Sequence, residues 1–155
     1  MSLAKKINTL KFQLDAFVAS RPDLQAKEMN VKEEWDLEED ARKVVTVERR
    51  AELYRVLHAT RAFDTGLWVF LEKFHHRSLD SHSITDYVKD LQRNVTNTTG
   101  FYQLSGGVAT KIKDEVTNKR NQYCHVSGMF PTKAEANFVI SKILEYYSLV
   151  LGLVK

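Results

Sequence analysis

Residues 115–125 read Glu-Val-Thr-Asn-Lys-Arg-Asn-Gln-Tyr-Cys-His and hold the side chains best suited to chemistry in this chain. Cleaving an RNA phosphodiester without a metal needs a group that moves the 2′-hydroxyl proton, and histidine titrates in the right range. It also needs a cation for the charge that builds on the phosphoryl oxygens, which a planar, permanently charged arginine meets bidentately. His125 is thus the candidate general acid/base and Arg120 the candidate phosphate clamp, with Asn121 and Glu115 as candidates to orient them.

Helix geometry restricts how these groups meet. At roughly 100° per residue, Arg120 and His125 sit about 140° apart on an ideal helix. Asn121 and His125, at i and i+4, share a face and are placed to hydrogen-bond. One straight helix therefore does not bring Arg120 and His125 onto one phosphate. The same residues also have plain structural uses: Glu115 and Lys119 form a stabilising i,i+4 pair, and His125 suits the negative end of a helix dipole.

The stretch resembles the HEPN superfamily, whose signature is an arginine, four to six intervening residues and a histidine. Arg120 and His125 match with four between them, Asn121 stands at the polar position after the arginine, and Glu115 with Lys119 and Arg120 matches an upstream element. Downstream, the glycine turn at Gly128, Pro131 and Thr132, and a final helix from Lys133 also agree. Arg77 and His82 repeat the spacing, but Ser78, Asp80, Ser81 and Ser83 make that copy a loop or cap. The resemblance covers roughly the last 50 residues in detail and the remainder only as a helical bundle.

The resemblance implies an all-α, HEPN-like bundle of four to five helices acting as a metal-independent endoribonuclease, in a toxin–antitoxin or phage-defence role. It implies a homodimer whose two motifs meet across a cleft, RNA as substrate, and an antitoxin or nucleotidyltransferase as partner. Toxin-type members often carry a tyrosine two residues after the histidine, where this chain has Ser127. That departure bears on the nuclease activity, and the alternative is a catalytically silent module binding RNA, a nucleotide or a partner protein.

Other chemistry finds less support. His75, His76 and His82 have no acidic or cysteine partners at metal-ligand spacing, so no metal or cofactor is expected. Gly106 and Gly107 precede Thr110 and Lys111 without the Gly-Lys-Ser/Thr ending of a phosphate loop. Cys124 reads as a small packed residue rather than a nucleophile. Trp68, Phe70 and Phe74 read as core or dimer interface.

The elements that must position the motif emerge from periodicity. Apolar Leu3, Ile7, Leu10, Leu14, Phe17 and Val18 recur at helical steps that end near Pro22. The acidic run of residues 33–40 reads as an exposed helix start. A helix over residues 48–74 carries Leu53, Val56, Leu57, Thr60, Asp64, Leu67, Trp68 and Leu71 on one face. Its stretch 67–71 is apolar all round, which predicts central burial or pairing with another chain. Whether residues 44–47 join it is open, because β-branched residues weaken helix propensity. Residues 74–82 form a loop, and Ser83 caps a helix striped by Ile84, Tyr87, Val88, Leu91 and Val95. Residues 94–107 form a turn-rich connector. A helix over 108–126 buries Ile112, Val116 and Tyr123, and Thr132 with Glu135 opens the last helix as a capping box.

At 155 residues and 43% hydrophobic, the chain predicts one domain over residues 1–155 with a core that needs no staples. The +3 net charge and the pI near 8.9 are mildly basic, compatible with a phosphate-bearing partner but short of a basic-patch signature. No apolar h-region comes after Lys5 and Lys6, no run approaches the length of a membrane span, and Cys124 stands alone. These features predict a cytoplasmic protein.

Overall fold

Ser2 opens α1 (Leu3–Val18) by accepting a hydrogen bond from the Lys5 backbone N–H, which satisfies one of the donors a helix start leaves free. In this computed structural model, which describes residues 1–44, 47–80 and 82–155, the spacing of α1 turns Ile7, Leu10, Leu14, Phe17 and Val18 inward. Pro22 then starts a short 3-10 turn, Pro22–Leu24, which leads into α2 (Gln25–Val44). Proline suits that first position because its missing N–H would be unpaired there anyway.

The acidic run is not a helix start, although Glu33, Asp36 and Asp40 are exposed as expected. It lies within α2, where Trp35 and Glu38 are buried and Glu34 is half-buried. The reason stands on α3 (Glu48–Lys73): Arg55 donates from Nε to Glu38 at 2.8 Å and from Nη1 to Glu52 at 2.7 Å. A buried carboxylate survives only with such a partner. Lys27 over Trp68, Glu34 on His58 and Glu38 on Arg55 pair rising α2 numbers with falling α3 numbers, so the two helices run antiparallel. Counting α2, the bundle holds six helical rods among the described residues, more than the expected four to five.

Helix α3 is the axis of the bundle and packs against α2, α4 (Ile84–Gln92), α6 (Asn118–His125) and α7 (Lys133–Leu151). Leu67, Val69, Phe70 and Leu71 are wholly buried in the chain's own core, so that stretch has intramolecular partners on every side except at Trp68. Small residues bring α7 close: a Cβ added at Gly66 would lie 2.4 Å from Cζ of Tyr147. At one end Phe17, Phe70, Phe74 and Phe101 interleave their rings at 5.1 to 5.3 Å between neighbours, Phe17 stacking on Phe70.

Ser83 caps α4 as expected, accepting from the Asp86 N–H. The connector after α4 is pinned to the chain's end by an isolated antiparallel bridge between Phe101 and Val154 and by the Tyr102 N–H on the Leu153 carbonyl. Gly106 and Gly107, expected in that connector, form the first turn of α5 (Gly106–Ile112), because Ser105 caps it by accepting from Val108. Helix α5 runs into a π turn, Lys113–Thr117, and then into α6, a continuous rod that buries Ile112, Val116 and Tyr123. Val95 lies beyond the end of α4. Gly128, at φ +80°, turns the chain, and the Thr132–Glu135 capping box starts α7. Val47 precedes α3 as its N-cap, while Val45 and Thr46 lie outside the described residues. No helix among them is long and apolar enough to cross a membrane.

Candidate functional site

The π turn sets the site. A π turn closes its hydrogen bond one residue later than an α turn and re-aims the side chains of the next helical segment. Thr117, the last residue of the turn, and Arg120 and Asn121 beyond it face a cleft of about 610 Å³ whose other walls are α3 and the start of α4. Arg120 donates from Nη1 to Asn121 Oδ1 at 2.9 Å, so the clamp candidate and its expected orienting residue are in contact.

Helix α3 lines the opposite wall with Tyr54, His58, Arg61 and Asp64, and His82 and Ser83 come from the approach to α4. Glu34 of α2 ties two of these down, at 2.8 Å to His58 Nδ1 and 3.0 Å to Arg61 Nη2. Arg61 remains largely exposed at the rim despite that bond. Asp64 is the only carboxylate among the described lining residues. Burial pushes its carboxyl pKa up, and the positive charge of Arg120 pulls against that shift. The charge on Asp64 in turn adds to the burial that raises the Tyr87 hydroxyl.

His125 is not in this cleft. It is the last residue of α6, exposed, with no hydrogen bond or ion pair among the described residues. Asn121 accepts from Arg120 rather than meeting His125 one turn on. Glu115 points away from both: its carboxylate accepts from the Tyr146 hydroxyl and lies 3.9 Å from Lys142 Nζ, tying the π turn to α7. Burial, with that bond as the second cause, raises the Tyr146 hydroxyl pKa. The expected Glu115–Lys119 pair is not formed: Glu115 lies inside the π turn, across which i,i+4 residues no longer share a face. Cys124, expected to be packed, is exposed.

Three cleft residues, His58, Arg61 and Asp64, were not singled out for chemistry by sequence reasoning, and a fourth, His82, was set aside as part of a loop or cap. One signal was available, since Thr60 and Asp64 interrupt the apolar stripe of α3 at i,i+4 spacing. His82 belongs to the second Arg-x4-His copy, and it rims the same cleft as Arg120. Its partner in that spacing, Arg77, lies 3.4 Å from Glu72 and over the Trp68 ring. Of the remaining histidines, His76 packs edge-on against Phe101 and bonds the Arg93 carbonyl.

Comparison of the chain with protein-family models, with curated proteins and with solved structures finds no match.

Proposed function

We propose that this chain is a metal-independent endoribonuclease of the HEPN type, acting as a homodimer. The observation that carries the reading is the cleft in which Arg120, steadied by Asn121, faces Arg61 and His82 across a space wide enough for a nucleotide. In the reaction the 2′-oxygen attacks phosphorus, the P–O5′ bond breaks, the 2′-hydroxyl proton passes to a base, and the leaving 5′-oxygen takes up a proton. Arg120 offsets the charge on the phosphoryl oxygens, and His125 moves the proton.

Within one chain His125 stands outside the cleft, so the complete site needs the α6 of a second copy. Exposed Val126, Met129 and Phe130, directly after His125, offer apolar surface for that contact. In this reading Glu115 acts through the π turn, holding it against α7, and an antitoxin or nucleotidyltransferase is the partner class. A toxin–antitoxin or phage-defence role is implied by the same resemblance.

The second reading, a silent module that binds RNA, a nucleotide or a protein partner, draws on one observation: the unpartnered, exposed His125. Incubation with a structured RNA in the presence of chelator separates the two. Products ending in 2′,3′-cyclic phosphate support the nuclease; intact RNA that is nevertheless retained by the protein supports the binding module.

A further inference from the structure

Cleavage through the 2′-hydroxyl moves two protons, one off the attacking 2′-oxygen and one onto the departing 5′-oxygen. The two oxygens stand roughly in line on opposite sides of the phosphorus, so an imidazole placed for one is poorly placed for the other. His125 accounts for one transfer, and the wall of the cleft holds a group suited to the second.

Glu34 and His58 form a carboxylate–imidazole dyad between α2 and α3. Nδ1 of His58 lies 2.8 Å from Oε2 of Glu34, and Oε1 of the same carboxylate pairs with Arg61 at 3.0 Å. An ionised carboxylate only accepts, so Nδ1 carries the hydrogen and donates it. The neutral ring then keeps its lone pair on Nε2, the nitrogen turned away from Glu34. No hydrogen bond from a described residue occupies Nε2, and that atom is not sealed from water. His58 lines the Arg120 cleft but not the adjoining hollow that Glu34, Arg61 and Asp64 border, so the open edge of the ring belongs to the cleft. Glu34 is 12% exposed and His58 22%, which shields the bond yet leaves the ring an opening. Tyr54, His58 and Arg61 follow at i, i+4 and i+7 on α3, so one face of a long helix holds the ring in place. His82, also on the rim, has no bond among the described residues that fixes its ring.

We infer that His58 is the general base of this site and Glu34 its positioning residue. This rests on the nuclease reading above and adds to it the group that takes the 2′-proton. As O2′ bonds to phosphorus, its proton passes to Nε2 of His58, and the Glu34 carboxylate stabilises the imidazolium that forms. As the P–O5′ bond breaks, O5′ takes a proton from the imidazolium of His125 on the second copy. Proton exchange with water then restores both rings.

The test compares variants on an RNA oligonucleotide that the wild type cleaves and on the same oligonucleotide with sulfur in place of the bridging 5′-oxygen. His58→Asn sets an amide N–H where Nδ1 stood, so the bond to Glu34 persists while Nε2 is lost. Its cleavage falls about 10²–10⁴-fold with the melting temperature unmoved. A thiolate leaves without taking up a proton, because thiols are far stronger acids than alcohols. The sulfur substrate therefore restores cleavage to His125→Ala and not to His58→Asn. A folded His58→Asn protein that cleaves at the wild-type rate overturns the assignment, as does its rescue by sulfur. Nitrogen-15 spectra of the wild type need no variant: the neutral His58 ring carries its hydrogen on Nδ1, and a hydrogen on Nε2 overturns the base role. In Glu34→Gln the amide oxygen turns to Arg61 and its N–H to Nδ1, which moves the ring hydrogen to Nε2 and slows cleavage. An unmoved hydrogen with full cleavage removes Glu34 from its role. A wild type that cleaves no RNA sinks the nuclease reading and this base with it; an active wild type beside an equally active His58→Asn sinks the base alone.

Discussion

The guanidinium of Arg120 donates to the side-chain oxygen of Asn121, its neighbour in the chain, at 2.9 Å. Consecutive helix residues do not normally face each other; here the long arginine side chain folds back across the start of α6, and the bond leaves its remaining N–H groups for a ligand. Loss of Asn121 therefore loosens the clamp without removing its charge.

His125→Ala is expected to lower RNA cleavage by about 10²–10⁴-fold, the usual contribution of a positioned proton-transfer group. Arg120→Ala lowers it through lost charge stabilisation, and Asn121→Ala lowers it less. None of the three moves the melting temperature appreciably, because His125 and Asn121 are exposed and Arg120 is half-buried at the rim. Time courses on labelled RNA with parallel thermal melts check this; full activity in the His125→Ala protein removes that histidine from the mechanism.

Sedimentation equilibrium at micromolar concentration is expected to give a mass near twice 17.9 kDa. A Phe130→Glu change at the exposed surface after α6 shifts the protein towards monomer and reduces cleavage in parallel. A monomeric wild type that cleaves RNA at full rate would contradict the two-copy site.

Arg55→Ala is expected to destabilise the fold by about 3–5 kcal/mol, the cost of leaving partnered buried charges alone. Arg55 is 1% exposed and holds Glu38, Glu52 and Asn137, joining α2, α3 and α7 in one network. Urea unfolding monitored by circular dichroism gives the number directly. Arg42→Ala, which removes only a 3.9 Å contact from a more exposed side chain, costs far less.

Stability is expected to fall as pH rises towards neutrality through one carboxyl in particular. Burial, then a hydrogen bond and charge repulsion from Asp15, raises the Glu28 pKa from 4.5 to about 7. A raised folded-state value means the folded protein holds the proton more tightly than the unfolded chain. The contribution is therefore fully present below pH 4.5 and lost as pH rises through about 7. Asp15 works in the opposite sense, lowered from 3.8 by its bonds to Glu28 and Lys32, so its contribution is lost in acid. Glu28→Gln should flatten the unfolding free energy between about pH 5 and 7, and an unchanged slope would refute the assignment.

The helices were legible in the sequence wherever their causes lie within one turn of chain. Ser83, Thr132 with Glu135, Pro22 and the three- and four-residue stripes of α1 and α4 act on residues at most four positions away, so the local pattern contains the whole reason. The long α3 was legible on the same grounds, but its apolar stretch 67–71 left central burial and pairing with another chain both open until the structure placed it in the core. Tertiary structure alone decided three matters. Glu38 is buried rather than solvated because Arg55 meets it from another helix. Glu115 turns to Tyr146, 31 residues away, because a π turn interrupts a helix whose sequence carries an ordinary stripe. The cleft joins Asp64 and Arg61 of α3 to Arg120 and to His82, while His125, the most conspicuous residue of the motif, stays outside it. Each of these depends on contacts between distant parts of the chain, and short-range periodicity cannot encode which distant side chain will stand opposite.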